Sequence, residues 1–189
     1  MKEEIYELYS YVGMMYYDNE VIPRDFDKAF NLLNKAASHN NSDALFNLGG
    51  IYYTGELIHR NIKKAIQCLE RSSDLKNSYS QYILGIIYYD GECVPVNIEK
   101  AIHYLTLSSE QNNSDAQQAL GYIYYDEEYA YFDIEKAIHY FTLSENQNDP
   151  SSMLQLGEIY SEGKYVPVNI EKAIHYLTLS SKNNNKYAH

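Results

Sequence analysis

The chain has 189 residues, of which 45% are hydrophobic, and its 26 acidic and 15 basic residues give a net charge of −11. The hydrophobic content is too high for a disordered chain, and the negative charge disfavours nucleic acid and anionic membranes as partners. The chain shows no secretory signal and no membrane-spanning stretch, and its two cysteines, Cys68 and Cys93, indicate no disulfide framework. A cytoplasmic setting is therefore expected.

A repeat of 36 residues runs along the chain. The segment VPVNIEKAIHYLTLSS occurs at 94–109 and again, unchanged, at 166–181, and a looser copy begins midway at Ala130. The same period relates five glycines and five Lys-Ala pairs, namely Gly13, Gly49, Gly85, Gly121 and Gly157 and the pairs that begin at Lys28, Lys64, Lys100, Lys136 and Lys172. The sequence therefore predicts one repeat domain over 1–189, with units at 6–41, 42–77, 78–113, 114–149 and 150–185 and the start of a sixth at 186–189.

Each unit is predicted to contain two helices. In the third unit Leu84, Ile87 and Tyr88 recur at helical spacing in the first half, and Ala101 and Leu105 do so in the second. The mid-helix glycines cost about 1 kcal/mol each relative to alanine, which requires a packing reason. Because the equivalent position of every second helix is alanine, we interpret the pair as the point where the two helices cross closely.

Cap residues mark the predicted helix ends. Short oxygen-bearing side chains that can accept backbone N–H groups precede the second helices at Asp25, Asn61, Asn97, Asp133 and Asn169, and the first helices at Asn41, Asn77, Asn113 and Asp149, with Asn185 before a sixth unit. Glycines suited to a left-handed C-cap follow the first helices at Gly55, Gly91 and Gly163, whereas Asn19 and Glu127 occupy this position in the first and fourth units. Glu127 suits it poorly, so we expect the fourth unit to deviate most.

The segment LGIIYYDG at 84–91, followed by Val94, Asn97 and the Lys100-Ala101 pair, resembles the Sel-one-like repeat (SLR). That pattern is approximately LGxxYxxG, then V, D and KA. The first and fourth units, which read VGMMYYDN and LGYIYYDE at this motif, depart from it at the second glycine. The glycine usual after the second helix is replaced by Asn40, Lys76, Asn112, Asn148 and Asn184. The resemblance implies an all-α fold, a right-handed, tetratricopeptide-like α-α solenoid of five antiparallel helix hairpins. It also implies a scaffold or adaptor that binds a partner segment in its concave groove.

No catalytic, cofactor or metal site is predicted. His103, His139 and His175 lie one unit apart, on the order of 10 Å, and so cannot converge on one ion. No nucleophile–base cluster, phosphate-binding loop or pair of carboxylates stands out. We therefore expect a non-enzymatic chain without cofactors; the alternative is a regulatory or targeting segment of a larger enzyme such as a protein kinase.

Tyrosine is unusually frequent, with 22 residues and no tryptophan. One set occupies the core position of the repeat, namely Tyr16, Tyr52, Tyr88, Tyr124 and Tyr160. The next residues turn about 100° away, toward the groove of a tetratricopeptide-like array, and acidic residues follow: these are Tyr17, Tyr53, Tyr89 and Tyr125 with Asp18, Asp90, Asp126 and Glu162. Acids beside a helix C-terminus are disfavoured by the dipole, so the two sets are predicted to form a docking strip for a basic or amphipathic segment. Solvated charge copied by repetition explains them about equally well.

Positions that vary among units are expected to determine partner specificity. They are Met14, Gly50, Ile86, Tyr122 and Glu158 in one set and Ser10, Phe46, Tyr82, Gln118 and Leu154 in the other. Of these, Phe46, Tyr82, Ile86 and Tyr122 are added to the candidate partner-binding residues. At the C-terminal end no polar capping element is evident, so Ile174 and Leu177 should be uncovered, which leaves end-to-end self-association open.

Overall fold

The computed structural model describes residues 2–18, 22–56 and 58–186, and in these ranges it contains ten α-helices and no β-strand. The helices are α1 (Lys2–Asp18), α2 (Phe26–Ser38), α3 (Ser42–Thr54), α4 (Ile62–Asp74), α5 (Ser78–Asp90), α6 (Ile98–Ser109), α7 (Ser114–Tyr125), α8 (Ile134–Glu145), α9 (Pro150–Glu162) and α10 (Ile170–Lys186). From α4 onward every helix begins 36 residues after its equivalent in the preceding repeat unit. The predicted all-α fold and its period are confirmed.

The structure divides into two compact parts, residues 1–104 and 105–189, and the boundary falls within α6. In the first, α1 packs against α2 and α3 against α4, while α2 and α4 also contact α3 and α5. In the second, α7 packs against α8, α9 against α10, and α8 against α9. Within each of these two parts, consecutive helices therefore form hairpins, and the second helix of one hairpin packs on the first helix of the next.

The predicted caps explain where the helices begin and end. All five second helices have the expected Asp or Asn side chain accepting the N–H three residues on, at 2.9–3.1 Å. Asn41, Asn77, Asn113 and Asp149 cap α3, α5, α7 and α9 in the same way at 2.7–2.9 Å. Gly55, Gly91 and Gly163 end α3, α5 and α9 with φ of 73°, 69° and 67°. The cap predicted at Asn19 lies outside the described residues.

The fourth unit deviates as predicted. Helix α7 ends at Tyr125, one residue before the period would place its end, and its C-cap Asp126 is extended, with φ −77° and ψ 114°. The left-handed conformation costs about 1–2 kcal/mol more at Glu127 than it would at a glycine, because Glu127 has a Cβ. This cost accounts for the early end of α7. The Oδ1 of Asp126 then accepts the N–H of Glu128 at 2.9 Å and fixes the turn.

The end of α10 differs from the prediction. The four residues that replace glycine after α2, α4, α6 and α8 take positive φ values of 59–68°, at Asn40, Lys76, Asn112 and Asn148. The backbone at Asn184 is instead helical, and α10 continues to Lys186. The predicted turn at Asn184 and cap at Asn185 are therefore wrong. At the internal boundaries a capped first helix follows the turn and packs on the helix before it, whereas no such helix follows α10 within the described residues.

The mid-helix glycines make room for a large side chain of the second helix. A Cβ at Gly13 would lie 3.0 Å from Leu33, one at Gly49 2.8 Å from Leu69, one at Gly157 2.7 Å from Leu177 and one at Gly121 2.5 Å from Phe141. The alanine carbonyls are also near, at 3.3 Å for Ala29 and 3.5 Å for Ala65. The close crossing predicted from the Gly and Ala positions is confirmed, but the residue that most restricts the glycine is the one four positions after the alanine.

Candidate functional site

The core tyrosine of each repeat unit, at position 16, 52, 88, 124 or 160, fixes its own hairpin. Its backbone carbonyl accepts the N–H of the Asp or Asn that caps the second helix, at 2.8–3.1 Å. The lysine of the Lys-Ala pair places Nζ 4.5–5.2 Å from the centre of the tyrosine ring in all five units. A cation at this distance over an aromatic face is attracted by about 0.5–1 kcal/mol at an exposed site. Packing therefore accounts for these tyrosines, as predicted.

The tyrosines that follow are half-buried, and Tyr17, Tyr53 and Tyr125 contact the turn of the next repeat unit. The hydroxyl of Tyr17 donates to Glu56 Oε2 at 2.9 Å, and the Cys93 thiol donates to the hydroxyl of Tyr53 at 3.9 Å. The ring of Tyr125 meets that of Tyr165 edge-on, with centroids 5.9 Å apart. These three side chains therefore help to hold consecutive turns together, which the sequence did not indicate. Tyr89 is half-buried at the equivalent position.

Burial and neighbouring carboxylates raise the pKa of the Tyr17 and Tyr125 phenols. Burial is the main cause for Tyr17, followed by the hydrogen bond and charge of Glu56. For Tyr125, burial is followed by the charges of Glu162 and Glu158. The phenols are protonated near neutral pH, and the electrostatic potential around Tyr125 is negative.

The carboxylate contribution at Tyr125 can be measured. In a variant with Glu158→Gln and Glu162→Gln, the pKa of Tyr125 should fall toward its usual value, because negative charges that disfavour the phenolate are removed. It should stay above that value, because burial is unchanged. An NMR titration of Cζ-labelled tyrosine would resolve the shift, with Tyr17 as an internal control. An unchanged Tyr125 titration would contradict the assigned potential.

The first helices carry acidic but no basic residues along most of the chain. Helices α3, α5, α7 and α9 contain Asp43, Asp90, Asp115, Glu158 and Glu162, and neither lysine nor arginine. Of the predicted strip, Asp18, Asp90 and Glu162 are exposed, whereas Asp126 is half-buried as the cap of α7. The exposed residues of α3 and α5, within residues 1–104, and separately those of α7 and α9, within residues 105–189, are each called a first-helix surface.

An apolar pocket of about 190 Å³ lies between α3 and α5, and is called here the α3–α5 pocket. It is lined by Phe46, Gly50, Tyr53, Ile83 and Ile86, with the buried Leu69 and Ile87 inside. Three predicted candidates, Phe46, Tyr53 and Ile86, are thus brought together. The role of Gly50 was indicated only by its membership of the variable set.

The remaining candidates lie apart from this pocket. Tyr122 is 36% exposed, and both its ring and that of Tyr125 meet the buried Phe141 edge-on at 5.2 and 6.3 Å. Tyr82 is half-buried on α5. At the end of the array Ile174 is 61% and Leu177 38% exposed, as predicted.

Chemistry of other kinds finds no support in the part of the chain that the structure describes. No group of three or more His, Cys, Asp or Glu residues is placed there to hold a metal ion. The ring of His103 packs edge-on against Tyr104, and that of His139 against Tyr140, both at 5.2 Å. None of the described helices is both long and apolar enough to span a membrane.

Comparison with known proteins finds a match in every repeat. The family model described as the Sel1 repeat matches residues 9–41, 42–77, 78–113, 114–149 and 150–185. No curated protein sequence matches the chain significantly.

Three solved structures show the same fold. A Sel1 repeat protein from Oxalobacter formigenes is 23% identical, with a TM-score of 0.84 over 95% of this chain and 74% of that one. The protein c5321, a protective antigen of uropathogenic Escherichia coli with an SLR fold, is 27% identical, with a TM-score of 0.83 over 92% of this chain and 38% of that one. A protein from Klebsiella pneumoniae described as a Sel1 repeat protein is 21% identical, with a TM-score of 0.59 over 96% of this chain and 88% of that one.

Proposed function

This chain belongs to the Sel1 repeat family, whose members generally mediate protein–protein interactions, and we propose that it is a non-enzymatic scaffold or adaptor that binds a basic or amphipathic segment of a partner protein. The proposed contact is the first-helix surface, the side predicted to be concave. The observation that carries the proposal is the separation of charge. Four first helices hold five acids and no cation, whereas second helices such as α4 and α8 carry both signs, with Lys64 and Glu70 on α4 and Lys136 and Glu135 on α8.

The two kinds of side chain on this surface would contribute differently. Exposed carboxylates such as Asp90 and Glu162 add only about 0–1 kcal/mol each, but they speed encounter with a cation and make binding sensitive to salt. Apolar and aromatic side chains supply most of the affinity, since a buried anchor commonly costs about 2 kcal/mol or more when truncated. The proposal therefore requires a segment with both lysine or arginine and at least one large apolar residue.

The test begins with peptides selected on the parent chain from a random library displayed on phage. The selected peptides should be basic, and their affinity should fall as salt is raised. Asp90→Asn with Glu162→Gln should flatten this salt dependence while weakening binding only a few-fold. The affinity of synthetic peptides, measured by fluorescence anisotropy over a series of salt concentrations, checks both expectations.

A matched control removes the same charge from second helices. Glu99→Gln with Glu171→Gln changes two exposed acids that are equivalent to each other in the repeat and lie in the first turns of α6 and α10. This pair should leave the salt dependence as in the parent. Selected peptides that are neutral or acidic, or an equal flattening by the control pair, would refute the proposed surface.

Three further parts of the proposal rest on separate observations. This chain spans 38% of c5321, so a block of repeats of this length can form part of a longer chain, as the alternative of a regulatory or targeting segment of a larger enzyme requires. Sequencing the gene beyond the codon for His189 tests that alternative.

The exposed Ile174 and Leu177 support self-association through α10. The free thiols of Cys68 and Cys93 support a cytoplasmic location.

A further inference from the structure

Two adjacent glycines in α3 have different structural roles. A Cβ at Gly49 would lie 2.8 Å from Leu69, so packing requires glycine there. A Cβ at Gly50 would meet no atom within 4 Å. Glycine in a helix interior is unfavourable relative to alanine, and at Gly50 no packing contact compensates for that cost. The residue at this position is Met, Ile, Tyr or Glu in the other four units. Because Gly50 has no side chain, the α3–α5 pocket is left open in the second repeat unit.

The walls of the pocket are held by contacts outside it. The guanidinium of Arg60 donates to the Tyr53 carbonyl at 2.9 Å, lies 5.3 Å from the centre of the Tyr53 ring and donates to Cys93 Sγ at 2.9 Å. Nearer the start of α3, the Phe46 ring lies 6.1 Å from that of Tyr79 on α5. Aromatic walls fixed in this way lose little conformational freedom when a ligand binds, which favours binding.

We propose that the α3–α5 pocket receives one aromatic side chain, of phenylalanine size, from the basic segment bound on the first-helix surface. An apolar protein cavity of about 150 Å³ holds a benzene ring, so a pocket of about 190 Å³ has room for a phenyl group. The lining holds no charged side chain, which disfavours a charged anchor. Asp43 and Asp90, the charged residues of α3 and α5, match flanking lysine or arginine, while Arg60 adds one positive charge beside the Tyr53 wall. This inference rests on the proposed function and names the anchor of its ligand.

A larger groove supports no comparable assignment. It has a volume of about 640 Å³ and lies along α2, α3 and α4. Its lining combines the cations Lys64 and Arg71 with the acids Glu70 and Asp74, so it selects no single ligand chemistry. The α3–α5 pocket is the site where shape and chemistry agree.

The experiment compares two substitutions at Gly50. Gly50→Met introduces the side chain that the first unit carries at Met14 and should fill the pocket. Gly50→Ala gives a similar gain in helix propensity but adds only a methyl group, and it serves as the matched control. Neither variant should melt at a lower temperature than the parent, since a Cβ at Gly50 meets no atom within 4 Å.

The first measurement uses toluene as the probe of the pocket. Toluene should shift the methyl NMR signals of Ile83 and Ile86 saturably in the parent and in Gly50→Ala, and the shifts should be lost in Gly50→Met. The second uses the selected basic peptides, which should contain phenylalanine and compete with toluene. Gly50→Met should weaken their binding at least tenfold, and Gly50→Ala less than threefold.

The outcomes separate this inference from the proposed function. Absence of saturable toluene shifts in the parent overturns the pocket as an aromatic site. If basic peptides bind with the expected salt dependence but bind Gly50→Met as tightly as the parent, the anchor assignment is wrong while the proposed function stands. If no basic peptide is selected, both fail.

Discussion

Replacing Phe141 with alanine is expected to lower the free energy of unfolding by about 3–5 kcal/mol. Phe141 is fully buried and receives the edges of the Tyr122 and Tyr125 rings. Its removal would leave a cavity beside Gly121, whose Cβ position lies 2.5 Å from the phenyl ring. Urea denaturation followed by circular dichroism measures the loss.

Phe141→Leu is the matched control. The equivalent residue is leucine in the other four units, among them the fully buried Leu33, so this change should cost at most about 1.5 kcal/mol. A double-mutant cycle adds a sharper test. Gly121→Ala should cost about 1–3 kcal/mol in the parent but little beside Phe141→Ala, where the new methyl group has room. Strictly additive costs would contradict the contact between these two positions.

The second prediction concerns the neighbours Gly49 and Gly50, where the same substitution should have opposite effects. Gly49→Ala should destabilise the protein by about 1–3 kcal/mol, because the methyl group would meet Leu69 at 2.8 Å. Gly50→Ala should stabilise it by about 1 kcal/mol, because helix propensity improves and nothing lies within 4 Å.

Each variant is the control for the other, since both gain the same methyl group in the same helix. Their denaturation midpoints should fall on opposite sides of the parent midpoint. Two midpoints shifted in the same direction would show that the two glycines are not distinguished by packing, and would also weaken the case for an open pocket at Gly50.

The fold was largely predictable because its boundaries depend on local chemistry that recurs in phase. An Asp or Asn before each second helix and a glycine after most first helices act within a few residues, so the sequence alone locates them. The same logic failed at Asn184. A left-handed asparagine ends a second helix where a capped first helix follows and packs against it. That packing is a tertiary contact, which the local sequence around Asn184 does not specify.

The candidate site was only partly predictable, since its contacts join residues far apart in sequence. Tyr17, Tyr53 and Tyr125 were expected to face a groove, but each also contacts the turn of the following unit. The lysine–tyrosine contact could have been found, because the two residues recur together 12 positions apart in every unit. The pocket at Gly50 could not, because a pair of glycines in sequence does not reveal which of them faces a neighbour.

The identical segments at 94–109 and 166–181 bear on how the gene can change, because recombination between two similar coding stretches removes the DNA between them. Such an event would delete residues 94–165, two whole repeat lengths, and join Cys93 directly to Val166. All residues that line the α3–α5 pocket precede the deletion, and the Arg60, Tyr53 and Cys93 that fix its wall are retained. Tyr125, Phe141 and Tyr165 would be lost together. Such a deletion would therefore remove the aromatic contacts of the fourth repeat unit and keep the pocket. The array can thus be shortened without altering the sequence around Gly50.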